Sequence, residues 1–247
     1  MKNPWVIIAV LTVVLFGGAY IYSSQVNEGT NEDYDSSINA TALTESQIKG
    51  NPDSEVKLVE YSDFQCPACA QFYPVVKELL DKYGDQISFE YRHFPLIQNH
   101  PFAEPAARAA VAAGIQGKFY EYHDILFERQ SQWSTALNPN RMFSEYATEL
   151  GLDVNQFEKQ MRSSDIRDKV KNDLQDGFAA GVTGTPSFYL NGEKLQLTTL
   201  GDLMLFTEQA LGVNAGLEID SEIEVDAGPG VTASPAALPE PEVKFGI

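Results

Sequence analysis

The chain has 247 residues, enough for one large or two small domains, and its 43% hydrophobic content can bury a sizeable core. Its formal net charge is −18, with 17 basic against 35 acidic residues and no basic cluster to neutralise phosphates, which argues against nucleic-acid binding. The acidity gathers near the ends: residues 23–46 hold five acids and no base, and residues 214–247 hold seven acids and one lysine, the pattern of solvated segments.

Residues 5–22 (WVIIAVLTVVLFGGAYIY) carry no charge. As a helix they reach roughly 27 Å, enough for a hydrocarbon core. Lys2 precedes the run and acids follow it, so the positive-inside rule places the amino end in the cytoplasm and the rest outside. Gly17-Gly18-Ala19 offers a rival reading as a signal-peptide cleavage site, but the apolar run continues through Ile21 and Tyr22. A retained single-pass anchor in the cytoplasmic membrane (residues 1–22) is therefore expected, with residues 23–46 as a flexible acidic linker. In either reading both cysteines are exported to a compartment where disulfides persist.

A folded domain is expected over residues 47–213. Gly50-Asn51-Pro52-Asp53 is a turn signal. Val56–Ser62 reads as a strand, residues 66–83 as a helix with Pro67 in its first turn, and Ile87–His93 as a second strand. Pro74 lies inside this helix and should kink it. Residues 100–180 show almost no strand signal, and segments 103–113, 119–127, 141–150 and 154–182 all look helical. Ser187–Leu190 resumes as a strand, Asn191-Gly192 forms a hairpin turn, and residues 194–197 return as its partner. Residues 199–211 read as a last helix with Thr199 as its cap. Beyond them, residues 214–247 are expected to be a disordered, Pro/Ala-rich acidic tail. The order implies an α/β domain with a mixed sheet and an inserted helical subdomain.

Cys66 and Cys69 are the only cysteines. As a structural staple, so short a loop constrains little, about 2 kcal/mol by chain entropy. As half of a zinc site, the pair lacks further cysteines and has only His93, His100 and His123 to draw on. The redox reading has a mechanism. Positions i and i+3 share a helix face. Cys66 at the helix N-terminus meets free N–H groups and the positive end of the macrodipole, which favour a thiolate. Cys69, one turn inside, is expected to be more buried and to act as the resolving thiol. His93, at a strand end, is read as structural rather than as a general base, and the Phe and Tyr residues of the helical block as core. Pro186, opening a strand after Gly184-Thr185, reads on its own as a loop proline.

Leu58-Val59-Glu60-Tyr61-Ser62-Asp63-Phe64-Gln65-Cys66-Pro67-Ala68-Cys69 resembles the DsbA-like branch of the thioredoxin superfamily. Tyr91-Arg92-His93-Phe94-Pro95-Leu96 and Val182-Thr183-Gly184-Thr185-Pro186 resemble it at the corresponding places. The resemblance covers about residues 48–212. It implies a thioredoxin-like fold, Cys66 as nucleophile, Cys69 as resolving thiol, and Pro186 as a cis-proline facing the disulfide, with Thr185 before it. Strand-like backbone there would let a substrate peptide pair by β-augmentation. Glu60 matches a buried acid that moves protons at the resolving cysteine; its plainer reading is a partly exposed strand carboxylate. Strong oxidants of the family carry histidine where Ala68 stands, and alanine cannot hydrogen-bond a thiolate.

The function expected is that of an extracytoplasmic thiol–disulfide oxidoreductase, an oxidase of exported proteins. It would use no cofactor or metal beyond the Cys66–Cys69 disulfide, and by resemblance a membrane quinone-linked partner would reoxidise it. The alternatives are a disulfide reductase or isomerase, or a non-enzymatic exported chaperone or copper carrier.

Overall fold

The computed structural model describes Leu43 and residues 47–213. The expected anchor, the linker apart from Leu43, and the tail lie outside the described residues. Among the described residues no helix is long and apolar enough to cross a membrane.

Five strands form one mixed sheet in the order β1-β3-β2-β4-β5. They are β1 (Ile48–Gly50), β2 (Val56–Ser62), β3 (Ile87–His93), β4 (Ser187–Leu190) and β5 (Glu193–Lys194). β2 and β3 pair in parallel, as the intervening helix α1 (Pro67–Tyr83) requires, and the other pairs are antiparallel. The central strands Val56–Ser62 and Ile87–His93 fall where the sequence places them. β1 was not expected: it is three residues long and exposed, and so carries no apolar alternation. It ends at Gly50, whose φ is +89° and where a side chain would strike the carbonyl oxygens of Ile87 and Gly84.

The Asn191-Gly192 turn has positive φ at both residues, 52° and 85°, as a type I′ hairpin needs. Its return strand is shorter than residues 194–197. Only Glu193 and Lys194 pair, opposite Leu190 and Tyr189, and Leu195 then donates one more backbone bond to Phe188.

Between β3 and β4 lie α2 (Ala103–Ile115), α3 (Phe119–Glu128), α4 (Gln130–Trp133), α5 (Pro139–Glu149), α6 (Val154–Met161) and α7 (Ser164–Ala179). This is the inserted helical block. α2 is buried almost all round, and its alanines let α3, α6 and α7 approach closely. The segment 154–182 is two helices rather than one. The Ser163 side chain accepts from the Ile166 N–H at 3.2 Å and starts α7 afresh, as Asp153 starts α6 by accepting from Gln156 at 3.0 Å. Phe119, Tyr122, Phe127, Phe143, Tyr146 and Phe157 are core, as expected, and Phe178 is the exposed exception. A side chain at Gly177 would strike the Phe94 ring, so glycine lets α7 lie against the end of β3.

The last helix, α8 (Gly201–Ala210), is shorter than residues 199–211, and its N-cap position is Leu200 rather than Thr199. Thr199 still shapes that terminus: its hydroxyl and N–H both donate to the Asp202 carboxylate, at 2.7 and 2.8 Å.

Candidate active site

The site forms where β2 ends and α1 begins. Cys66 is the N-cap of α1 with Pro67 at the first helical position, so the helix starts one residue later than expected. The sulfur makes no full capping hydrogen bond. The Ala68 and Cys69 N–H groups nonetheless favour its anion, as the open first turn of a helix does. Pro74 lies inside α1 without ending it.

Three side chains fix the loop before Cys66. Asp63, 2% exposed, accepts from the Gln65 N–H at 2.7 Å and the Leu96 N–H at 2.9 Å, and pairs with His100 Nδ1 at 2.7 Å. Its own carbonyl accepts from the Cys66 N–H at 3.0 Å. Gln65 Oε1 accepts from the Phe102 N–H at 2.7 Å. From α4, Gln130 donates to the carbonyl oxygens of Phe64 and Cys66. None of Asp63, Gln65, His100 or Gln130 emerged as a candidate from sequence. Asp63, Gln65 and Gln130 act on backbone brought near by folding and His100 on the Asp63 carboxylate, and only the proximity of Asp63 and Gln65 to the cysteines marked them.

Both cysteines are thiols in this structure. Cys66 is 6% exposed and Cys69 fully buried, the order of accessibility expected. Across from them the Thr185–Pro186 bond is cis, as expected, and precedes β4. The Cys66 thiol donates to the Thr185 carbonyl oxygen at 3.4 Å. The Thr185 hydroxyl is buried and has no hydrogen-bond partner among the described residues.

The two sulfurs are driven apart in acidity. Cys66 is lowered to about 5, first by the hydrogen bond that the Cys69 thiol offers its thiolate, against the opposing effect of burial. The Thr185 hydroxyl and the backbone of Cys69 and Ala68 lower it further. Cys69 is pushed well up, first by burial, then by its neighbour's sulfur and by the Glu60 carboxylate. Such a pair presents one thiolate and one retained proton at neutral pH.

Glu60 is 3% exposed on β2, so the reading as a partly exposed strand carboxylate is corrected. Burial raises it to about 7. His93 is fully buried, and burial lowers its pKa well below the ordinary value, so the ring is neutral. Among the described residues neither ring nitrogen has a hydrogen-bond partner, and the ring sits in an aromatic cluster with Phe64, Tyr91 and Phe119, which agrees with a structural role.

A parallel β-α-β core with an antiparallel hairpin, a CxxC pair at a helix mouth and a cis-proline opposite define a thioredoxin-fold protein of the thiol–disulfide type. The sequence profile of the thioredoxin family matches residues 43–204, and the chain belongs to that family. Solved structures of similar fold are DsbA-like. α-DsbA1 from Wolbachia pipientis superposes with a TM-score of 0.60 at 21% identity, over 68% of this chain and 92% of that one. A thioredoxin-like oxidoreductase from Silicibacter pomeroyi gives 0.57 at 25% identity, over 70% and 97%. Oxidised BdbD from Bacillus subtilis gives 0.58 at 19%, over 70% and 95%. Among curated proteins, the Na(+)/H(+) antiporter NhaA 1 of Mycobacterium sp. (strain KMS) is 36% identical over 151 residues, 60% of this chain. The matched stretch is 24% of that antiporter's length, so the likeness concerns one part of it.

Proposed function

We propose that this chain is an extracytoplasmic thiol–disulfide oxidoreductase that oxidises exported proteins through Cys66 and Cys69. A substrate thiolate attacks Cys66 of the disulfide. Cys69 leaves as a thiolate and takes a proton from Glu60. A second substrate thiol, losing its proton to solvent, attacks the substrate sulfur of the mixed disulfide, and Cys66 leaves as a thiolate. The substrate gives up two electrons and two protons, and the CxxC pair gains the electrons. The observation that carries this reading is the Cys66 sulfur at the helix mouth, 3.4 Å from Thr185 and lowered to about 5, because a good leaving thiolate makes an oxidising disulfide.

Thr185 and Pro186 present the backbone on which a substrate strand pairs with the site. The uncharged run of residues 5–22 supports a cytoplasmic-membrane anchor with the domain outside. A quinone-linked membrane oxidase restores the disulfide.

The test is disulfide formation in a reduced, unfolded substrate protein with the oxidised full chain. Faster oxidation than with Cys66→Ser supports the proposal, and equal rates end it. The reduction potential sets direction: a value near about −120 mV fits an oxidase, and one near about −270 mV a reductase.

A further inference from the structure

Behind Cys69 lies a closed set of polar side chains. Glu60 and Ser62, two apart on β2, share one face of the sheet, and Tyr91 stands beside Glu60 across the parallel β2–β3 ladder. Glu60 is 3% exposed, Ser62 1%, and Tyr91 and Cys69 are fully buried. Among the described residues the Ser62 and Tyr91 hydroxyls have no hydrogen-bond partner. Unsatisfied buried hydroxyls are uncommon and weaken a fold, so two in one cluster beside a reacting sulfur ask for a role.

Ser62 lies one pleat along from the Glu60–Tyr91 pair, on the same face of β2 as Glu60. Ser62 lowers the pKa of Glu60, Cys69 and Tyr91 alike, favouring the charged form of each, while its hydroxyl is held by no hydrogen bond among the described residues. An uncommitted hydroxyl between two titrating groups can accept a proton on one side while giving its own on the other. The ionisable groups facing Glu60 are Cys66 and Cys69 from the active-site turn, Tyr91 from β3 and Tyr120 from α3. Glu60 is the carboxylate whose charge raises Cys69, and so the one with which Cys69 can trade its proton.

We infer that Ser62 carries the proton between Cys69 and Glu60. When Cys69 attacks a mixed disulfide on Cys66, the Cys69 S–H proton passes to Ser62 Oγ as the Ser62 proton passes to the Glu60 carboxylate. The Cys69–Cys66 bond forms, the bond from Cys66 to the departing sulfur breaks, and Glu60 is left protonated. In the opposite direction Glu60 returns the proton to the leaving Cys69 sulfur by the same route. The inference rests on the oxidoreductase reading, and its test separates the two.

The reduced full chain is mixed with Ellman's reagent in a stopped-flow instrument from pH 5 to pH 9. The first thionitrobenzoate released reports attack by Cys66, and the second reports its displacement by Cys69. In the wild type the second step should quicken as pH rises, with an inflection near 7 where Glu60 loses its proton. Ser62→Ala should slow that step about tenfold or more at pH 7 and erase the inflection, leaving the first release unchanged. Ser62→Thr, which keeps a hydroxyl, should restore both rate and inflection. A Ser62→Ala second step of wild-type rate, or a slowed one that retains the inflection, overturns the inference. A first wild-type release no faster than that of free cysteine overturns the oxidoreductase reading instead.

Discussion

The side-chain amide of Gln130 donates to the carbonyl oxygen of Cys66 at 2.9 Å and to that of Phe64 at 2.7 Å. One residue of the inserted helical block thus holds the strand-to-helix turn that carries the reactive sulfur. The Cys66 carbonyl also accepts the first helical bond, from Ala70 at 3.2 Å, so the amide and the helix steady the same peptide unit.

Gln130→Ala should therefore act on stability and on the thiol together. Loss of two hydrogen bonds to part-buried carbonyls should cost about 1–3 kcal/mol, read from urea denaturation. The loosened turn should also let the Cys66 titration rise toward that of an ordinary thiol, read from alkylation rates.

Glu60 links stability to pH. Burial raises its carboxyl to about 7 in the fold, against an ordinary value of 4.5. Its stabilising contribution is fully present below pH 4.5, where both states are protonated. Between 4.5 and 7 the unfolded chain releases the proton first, and the contribution is lost as pH rises. Glu60→Gln should remove this slope and make the fold more stable than the wild type above pH 7 by about 3 kcal/mol, measured by urea denaturation across pH.

The lowered Cys66 has the opposite sign. It titrates near 5 against an ordinary 9, so its contribution to the reduced protein is complete above 9 and lost as pH falls toward 5. The oxidised protein has no such thiol. The stability of the reduced form relative to the oxidised one should thus fall by on the order of 2 kcal/mol between pH 7 and pH 5, after allowance for solvent screening, measured by urea denaturation of both forms. Ala68→His would add a donor beside the sulfur. It should raise the reduction potential by about 30 mV for each 1.4 kcal/mol gained by the thiolate, measured against glutathione.

Much of this fold is written locally. β2, β3 and β4 show as short β-favouring runs, and Asn191-Gly192 fits one turn geometry well enough to pin the hairpin. Cys66 and Cys69 were legible because cysteine is rare in this chain and their spacing carries chemistry, whereas Pro186 read alone as a loop proline and gained its role only through the resemblance of residues 182–186. β1 was hidden because three exposed residues, Ile48, Lys49 and Gly50, gain their strand conformation only from pairing with β3. The break at Ser163 was masked by helical periodicity on both sides of it. Asp63, His100, Gln65 and Gln130 escaped notice for a different reason: a side chain whose partner lies more than thirty residues away, backbone for Asp63, Gln65 and Gln130 and the Asp63 carboxylate for His100, leaves no periodic trace. The burial of Glu60 is of the same kind, since a strand carboxylate reads alike whether water or an insertion covers it.

The most direct test of the whole account is the pH dependence of iodoacetamide alkylation at Cys66 in the reduced protein, with Thr185→Val alongside. An inflection near 5, displaced upward by about one unit or less when the hydroxyl is lost, is the expected result. An inflection near 9, where an ordinary thiol ionises, would contradict it.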